Sequence, residues 1–215
     1  MRFYFDFISP YAYLAWNALP RFTKAIGEPV EPVPILFAAL LNAHGHKGPA
    51  EIPPKREYIF KQCLRIAARE QITLAPPAAH PFNPLLGLRI ASLRSLSLAD
   101  RTRLVDTLFD ATWGAAGDGI DSADKVRAAL DGAGMASDEL IEAATTDDNK
   151  RRLTETTNAA VRSGVFGVPT MELDGELFWG YDALPDLELF ARGEDPVRVA
   201  DLERWRDLPV GASRR

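Results

Sequence analysis

The sequence predicts an α/β fold in which a β-α-β unit at the start of the chain and a β-β-α unit at its end build one sheet, with an all-helical block between them. Three observations carry this. Arg2-Phe3-Tyr4-Phe5-Asp6-Phe7-Ile8 alternates and runs directly into Ser9-Pro10, the pattern of a strand followed by a helix start. Near the other end, Thr170-Met171-Glu172-Leu173 and Glu176-Leu177-Phe178-Trp179 flank Asp174-Gly175, a strong two-residue hairpin signal. Between them the apolar residues recur at helical spacing. Neither end can bury a sheet alone, so the strands of the two ends must pair. The division expected is a discontinuous sheet domain, 1–37 with 163–215, interrupted by a helical insertion, 38–162.

The elements follow in order. In the first strand Phe3, Phe5 and Phe7 point one way and Tyr4 and Asp6 the other. A helix is expected over 10–26, with Ser9 as N-cap, Pro10 in the first turn where its missing N–H costs nothing, a kink or break at Pro20, and Gly27 as the stop. A second strand over 30–37 contains Pro32 and Pro34, which suit an edge position. Residues 39–48 read as a loop of small and polar residues. Pro53 or Pro54 opens a long helix, and a proline-rich loop over 71–83 ends in His80-Pro81-Phe82-Asn83-Pro84. Helices are expected over 85–96, 99–113, 122–130, 138–144 and 147–162. After the hairpin, Asp182 is placed to cap a helix running to about residue 191. A last helix covers 196–205, and the tail from 211 to 215 is expected to fray.

The 215 residues are 47% hydrophobic, enough for a proper core, so disorder is not expected. The net charge of −5 and the lack of a long basic run make nucleic acid and anionic membranes poor partners. No segment has the length of apolar sequence a membrane span needs, and no signal-peptide pattern opens the chain, so a cytoplasmic protein is expected. The single cysteine, Cys63, excludes an intrachain disulfide framework and a dithiol couple. His44, His46, His80 and Cys63 show no spacing that demands a metal.

Ser9 is the candidate catalytic residue. A serine before proline is by default a helix cap, but a helix N-terminus after a strand also favours an anion. In thioredoxin-like folds this position carries the first cysteine of Cys-x-x-Cys; here the frame reads Ser9-Pro10-Tyr11-Ala12. If the site works on a thiol, the sulfur comes from outside. Four segments carry a family resemblance: Phe5-Asp6-Phe7-Ile8-Ser9-Pro10-Tyr11-Ala12-Tyr13-Leu14-Ala15; Pro54-Lys55-Arg56-Glu57-Tyr58; Pro81-Phe82-Asn83-Pro84; and Gly164-Val165-Phe166-Gly167-Val168-Pro169-Thr170 with Gly175-Glu176-Leu177-Phe178-Trp179-Gly180-Tyr181-Asp182. The chain resembles the 2-hydroxychromene-2-carboxylate isomerases, relatives of the kappa-class glutathione transferases within the DsbA-like branch of the thioredoxin fold.

The resemblance implies a thioredoxin-like sheet with a helical insertion, a cis Val168-Pro169 bond and glutathione as cofactor. It implies that Ser9 donates to the glutathione sulfur and that the backbone of Val168, before Pro169, pairs with the cysteinyl part. Asp182 and the backbone at Gly180 and Tyr181, beside Trp179, take the γ-glutamyl end, and Lys55 takes the glycine carboxylate. Asp182 serves equally as a helix cap or as a ligand, Lys55 as a solvated lysine or a ligand, and Trp179 and Tyr181 as packing groups or contacts. His46, Lys47, Pro54, Phe82 and Asn83 are the candidates for lining the pocket of a small aromatic substrate. His46-Lys47 stands where many members carry Asn-Lys, and Tyr181 where isomerases commonly carry Asn. The implied reaction interconverts 2-hydroxychromene-2-carboxylate and trans-o-hydroxybenzylidenepyruvate. The alternatives are a kappa-type transferase that consumes glutathione and a cysteine-less thioredoxin fold that only binds partners. A homodimer is also implied.

Overall fold

Four short strands make one mixed sheet. β1 (Arg2–Phe5) is followed by α1 (Pro10–Phe22) and β2 (Glu31–Pro34). Among the described residues seven α-helices come next: α2 (Phe37–His44), α3 (Pro53–Glu70), α4 (Leu85–Ala91), α5 (Leu98–Trp113), α6 (Ala123–Gly132), α7 (Ser137–Thr145) and α8 (Asp147–Arg162). The chain then returns to the sheet with β3 (Thr170–Leu173) and β4 (Glu176–Trp179) and closes with α9 (Leu184–Ala191) and α10 (Val199–Arg206). This computed structural model describes residues 1–24, 26, 27, 29–115, 117–209 and 211.

The strand order is β2-β1-β3-β4, with β1 parallel to β2 and antiparallel to β3, and β3 antiparallel to β4. The proline-bearing β2 is at the edge, where its missing N–H groups cost no central ladder bonds. Register decides what meets at each end of the sheet. Phe5 is opposite Pro34, Tyr4 opposite Thr170, and Thr170 opposite Trp179. The exits of β1, β2 and β4 and the entry of β3 therefore lie at one end. Asp174 and Gly175 turn the hairpin at the other end, with φ of 51° and 86°, as a two-residue turn of this hand requires.

The alternation of β1 holds. Phe3, Phe5 and Phe7 are fully buried in the larger core with Phe109 and Trp113 of α5, while Tyr4 packs on the other face with Ile35, Leu40, Ala160, Val165 and Val168. Phe7 lies 4.9 Å from Phe109, ring centre to ring centre, at a steep angle. The helical block thus closes one face of the sheet next to the end of β1. Trp16 and Tyr13 of α1 anchor to the same block: the Trp16 indole donates to Asp106, and the Tyr13 hydroxyl to the Thr73 carbonyl at 2.7 Å.

Several elements differ from expectation, each for a physical reason. β1 stops at Phe5 because Asp6 to Ser9 form a turn in which the Ser9 N–H donates to the Asp6 carbonyl. α1 runs through Pro20 but ends two residues later at Phe22. Residues 39–44, expected in a loop, belong to helix α2. Phe37-Ala38-Ala39-Leu40-Leu41 is good helix sequence without a local cap, and the cap is supplied from afar: the Phe37 N–H donates to the Asp6 carboxylate at 3.0 Å. α4 ends at Ala91, short of residue 96, where Arg152 and Arg101 take the carbonyls of Ser92 and Leu93 and Ser97 caps the next helix. Asp182 does not cap α9; it lies in a tight turn, Tyr181–Ala183, and Ala183 occupies the cap position. The expected fraying of the tail falls, from 212 onward, outside the described residues.

Candidate active site

Ser9 caps α1. Its backbone is extended, and its Oγ accepts the Ala12 N–H at 3.2 Å. That bond occupies one of the oxygen's two acceptor positions, and among the described residues the hydroxyl proton has no acceptor, so it is free to donate. With Pro10 carrying no N–H and the positive end of α1 beneath it, the position favours a negatively charged acceptor. Ser9 is 9% exposed, so a partner meets it in a partly dehydrated setting where such a bond is stronger.

The turn that presents Ser9 is held peptide by peptide. The Phe7 carbonyl accepts from the Trp113 indole at 2.8 Å, the Ile8 N–H donates to Asp6 Oδ1 at 3.0 Å, and the Ile8 carbonyl lies 3.0 Å from His80 Nε2. Asp6 is 3% exposed, and burial raises its carboxyl to about 6, against the two backbone N–H bonds it accepts. That one side chain joins the Ser9 turn to the first turn of α2.

The shared end of the sheet assembles the other motif. Val168-Pro169 is cis and leads into β3. Among the described residues no backbone hydrogen bond engages the N–H or C=O of Val168, although its side chain is packed against Tyr4 and Ile35. The Gly180 N–H donates to the Pro169 carbonyl at 2.9 Å, which ties the end of β4 to the cis-proline turn. Gly180 has φ 94° and ψ 165°, open to glycine and strained for other residues, and a Cβ there would meet Asp182 Oδ1 at 2.5 Å. The glycine thus lets the exposed Asp182 carboxylate fold back over its own turn. Asp182 is also near enough to Tyr11 for its charge to help raise the Tyr11 hydroxyl, after the larger effect of burial. Trp179 is 54% exposed and packs at a tilt against Phe166, with ring centres 5.0 Å apart. Gly167 leaves room for that indole, since a Cβ would stand 2.3 Å from its nitrogen. Tyr181 is buried in the core, with Arg69 and Glu70 beside its hydroxyl, so its ring is a packing group.

His80 brings the remaining candidates toward this end. Its carbonyl accepts from Arg56 at 2.9 Å, so the first turn of α3, with Pro54 and Lys55 exposed, lies beside the loop that carries Phe82 and Asn83. Phe82 is half-buried against His80 and Trp113. Asn83 Oδ1 accepts the Leu85 N–H at 3.1 Å, so its carbonyl serves the start of α4 and its amide NH2 is left to a ligand. His46 and Lys47 are exposed, and among the described residues no hydrogen bond ties either to the Ser9 turn. One open hollow, lined by Arg2, Glu31, Arg101, Asp174 and Gly175, lies at the opposite end of the sheet, and a second runs along β1 and β2 from Arg2 to Pro34; neither contains Ser9, Val168 or Asp182.

Cys63 takes no part as a nucleophile. It is fully buried in α3, and burial pushes its thiol up to about 12. Native protein is therefore expected to resist a disulfide reagent such as DTNB, with one thiol released only on unfolding. Rapid reaction of the folded protein would contradict this burial.

The site roles of Asp6, His80, Trp113 and Gly167 are not read from the sequence. The signal for Asp6 is a charged residue inside an apolar strand, and that for His80 and Gly167 is their place in the quoted motifs; Trp113 has none, since it acts on a segment far away in the chain.

A model of the DSBA-like thioredoxin domain matches residues 1–190. The chain belongs to this family. Its sheet order and cis-proline turn fit that assignment, and its helical block is part of it. Within the DSBA-like family, the chain is 31% identical over 192 residues to the 2-hydroxychromene-2-carboxylate isomerase of Sphingobium xenophagum, covering 87% of this chain and 95% of that protein. It is 24% identical over 188 residues to glutathione S-transferase kappa 1 of Rattus norvegicus, covering 83% of each. A solved structure of 2-hydroxychromene-2-carboxylate isomerase superposes with a TM-score of 0.79 at 28% identity, over 97% of this chain and 98% of that one. Unlike a dithiol member of such a fold, this DSBA-like chain has a serine at the helix cap and its only cysteine buried.

Proposed function

We propose that this protein is a glutathione-dependent isomerase that interconverts 2-hydroxychromene-2-carboxylate and trans-o-hydroxybenzylidenepyruvate. The observation that carries the reading is the state of Ser9: a cap serine whose oxygen already accepts from Ala12 and whose proton is left to donate. It lies at the sheet end that also holds a free Val168 backbone and an exposed Asp182 carboxylate. These groups fit glutathione in kind. A thiolate needs a donor and a positive helix end, an extended peptide needs a free backbone edge, and an ammonium needs a carboxylate.

Bound glutathione would supply a thiolate that adds to the conjugated double bond; opening of the chromene ring at its hemiketal C–O bond, rotation about the resulting single bond and loss of the thiolate would give the trans product, with glutathione regenerated. The chain's own work is to hold and charge that sulfur. Ser9 donates to it, and the α1 terminus lowers the cost of its negative charge. Val168 pairs with the cysteinyl backbone beside Pro169. Asp182 takes the γ-glutamyl ammonium, and the turn at Gly180 and Tyr181, next to Trp179, takes the carboxylate; Tyr181 contributes backbone rather than ring. Lys55 takes the glycine carboxylate from the first turn of α3. Phe82, Pro54 and the Asn83 amide offer apolar surface with one polar group for an aromatic carboxylate, with His46 and Lys47 at its outer edge. The same reading takes the protein as a cytoplasmic homodimer.

The test is a calorimetric titration with reduced glutathione, followed by an ultraviolet assay of the isomerisation. Saturable binding and turnover with glutathione recovered intact are expected. Conjugation with consumption of glutathione would replace the reading with a kappa-type transferase. Absence of binding would leave a non-catalytic thioredoxin fold.

A further inference from the structure

We propose that His80 is a positioning residue for Ser9, acting through the Ile8 carbonyl. For catalysis this rests on the function proposed above; for the geometry of the turn it stands on its own.

A carbonyl oxygen only accepts, so the contact of 3.0 Å from Ile8 to His80 Nε2 places a proton on Nε2. Nδ1 then carries the lone pair. It is buried, and no group among the described residues donates to it. Burial, helped by the nearby Arg56 charge, lowers the affinity of this ring for a second proton and outweighs the bond to Ile8, which acts the other way. A neutral ring in a single tautomer is the result.

The ring is also fixed in place. Phe60 lies 5.3 Å from it, Trp113 5.6 Å and Phe82 6.4 Å, and Arg56 holds the His80 carbonyl while covering the Phe60 ring. This rigid donor is spent on one acceptor, the C=O of the peptide whose nitrogen belongs to Ser9. The same peptide run is held by Trp113 at Phe7 and by Asp6 at the Ile8 N–H. Rotation of the Ile8-Ser9 peptide would swing the serine off the cap of α1. Among the described residues His80 is the one group gripping that peptide's carbonyl.

A packing role and a positioning role predict opposite results for one variant. His80→Phe keeps an aromatic ring among Phe60, Phe82 and Trp113, removes the unpartnered Nδ1, and removes the donor to Ile8. A packing role predicts a protein equal to or better than wild type. The positioning role predicts equal or higher melting temperature, but Ser9 and Ala12 amides that exchange roughly threefold to tenfold faster, the range one such hydrogen bond spans. It also predicts a fall in kcat of about the same size with KM little changed. His80→Gln, which retains an N–H donor, is expected to recover both readouts. Unchanged exchange at Ser9 and Ala12 in His80→Phe would overturn the proposal, as would a His80→Gln variant impaired as badly as the phenylalanine one. Should His80→Phe not fold, nitrogen-15 spectra of the wild-type imidazole decide: the Nε2–H tautomer is expected, and the Nδ1–H tautomer refutes it. A wild type that neither binds glutathione nor isomerises the substrate would defeat the functional reading alone, since exchange and tautomer still judge His80.

Discussion

Ser9→Ala is expected to lower kcat by roughly a hundredfold to a thousandfold, the cost of deleting one donor aimed at developing or stored negative charge in a dehydrated site. The same change removes the α1 cap, since the Ala12 N–H loses the oxygen it donates to. That loss costs about 1 kcal/mol, too little to unfold a domain with this core. The variant should therefore melt a few degrees lower, keep its circular dichroism, and fail in the isomerisation assay. Its complex with glutathione should also titrate at higher pH, read by thiolate absorbance near 240 nm, because the sulfur has lost the hydrogen bond that favours its charged form. A mutant with wild-type turnover would remove Ser9 from the chemistry and leave it a cap alone.

The second large effect falls on Asp6 and concerns stability. Its carboxylate accepts two buried N–H groups at 3.0 Å each, from Ile8 in the Ser9 turn and from Phe37 at the start of α2. Asp6→Ala leaves both donors unpaired, and each such loss costs roughly 1–3 kcal/mol, so a destabilisation of about 2–6 kcal/mol is expected. Asp6→Asn should recover only part of this, because its NH2 must face one of the two N–H donors. The pH dependence carries its own signature. Burial lifts the folded carboxyl from 3.8 to about 6, so the folded state holds the proton more tightly than the unfolded chain. The stability this contributes is complete below pH 3.8 and is lost as pH rises through about 6. Integrated over that window the loss is about 3 kcal/mol. Both variants lack the group and should lose this slope. Urea denaturation midpoints measured across the window check it. A wild-type midpoint that rises between pH 4 and 6 relative to Asp6→Asn would contradict the buried, proton-retaining carboxyl.

How much was legible in the sequence follows from the range of the forces involved. The alternation of β1, the cap at Ser9, the edge position of β2 and the turn at Asp174-Gly175 all follow from residue types within a few positions and are as read, although β1 ends earlier, at Phe5. The helix α2 was read as a loop because its capping group lies 31 residues away, on Asp6. The helix cap assigned to Asp182 failed for a related reason: Gly180, in a conformation few other residues adopt comfortably, starts a tight turn that shifts the helix start to Ala183. Tyr181 and Trp179 looked alike in the motif. Only packing separates them, one buried against α1 and α3, the other 54% exposed.

By itself the sequence determined the family, the mixed α/β order and the replacement of a redox cysteine by Ser9, because these are properties of residue type and local spacing. The tertiary structure alone decided which groups serve that serine. The Ile8 carbonyl is held by His80, the Phe7 carbonyl by Trp113 from α5, and the cis-proline turn by Gly180. Each partnership is a hydrogen bond between segments that the chain separates and the sheet register brings together. Such pairing depends on where strands and helices finally dock, which no local preference encodes.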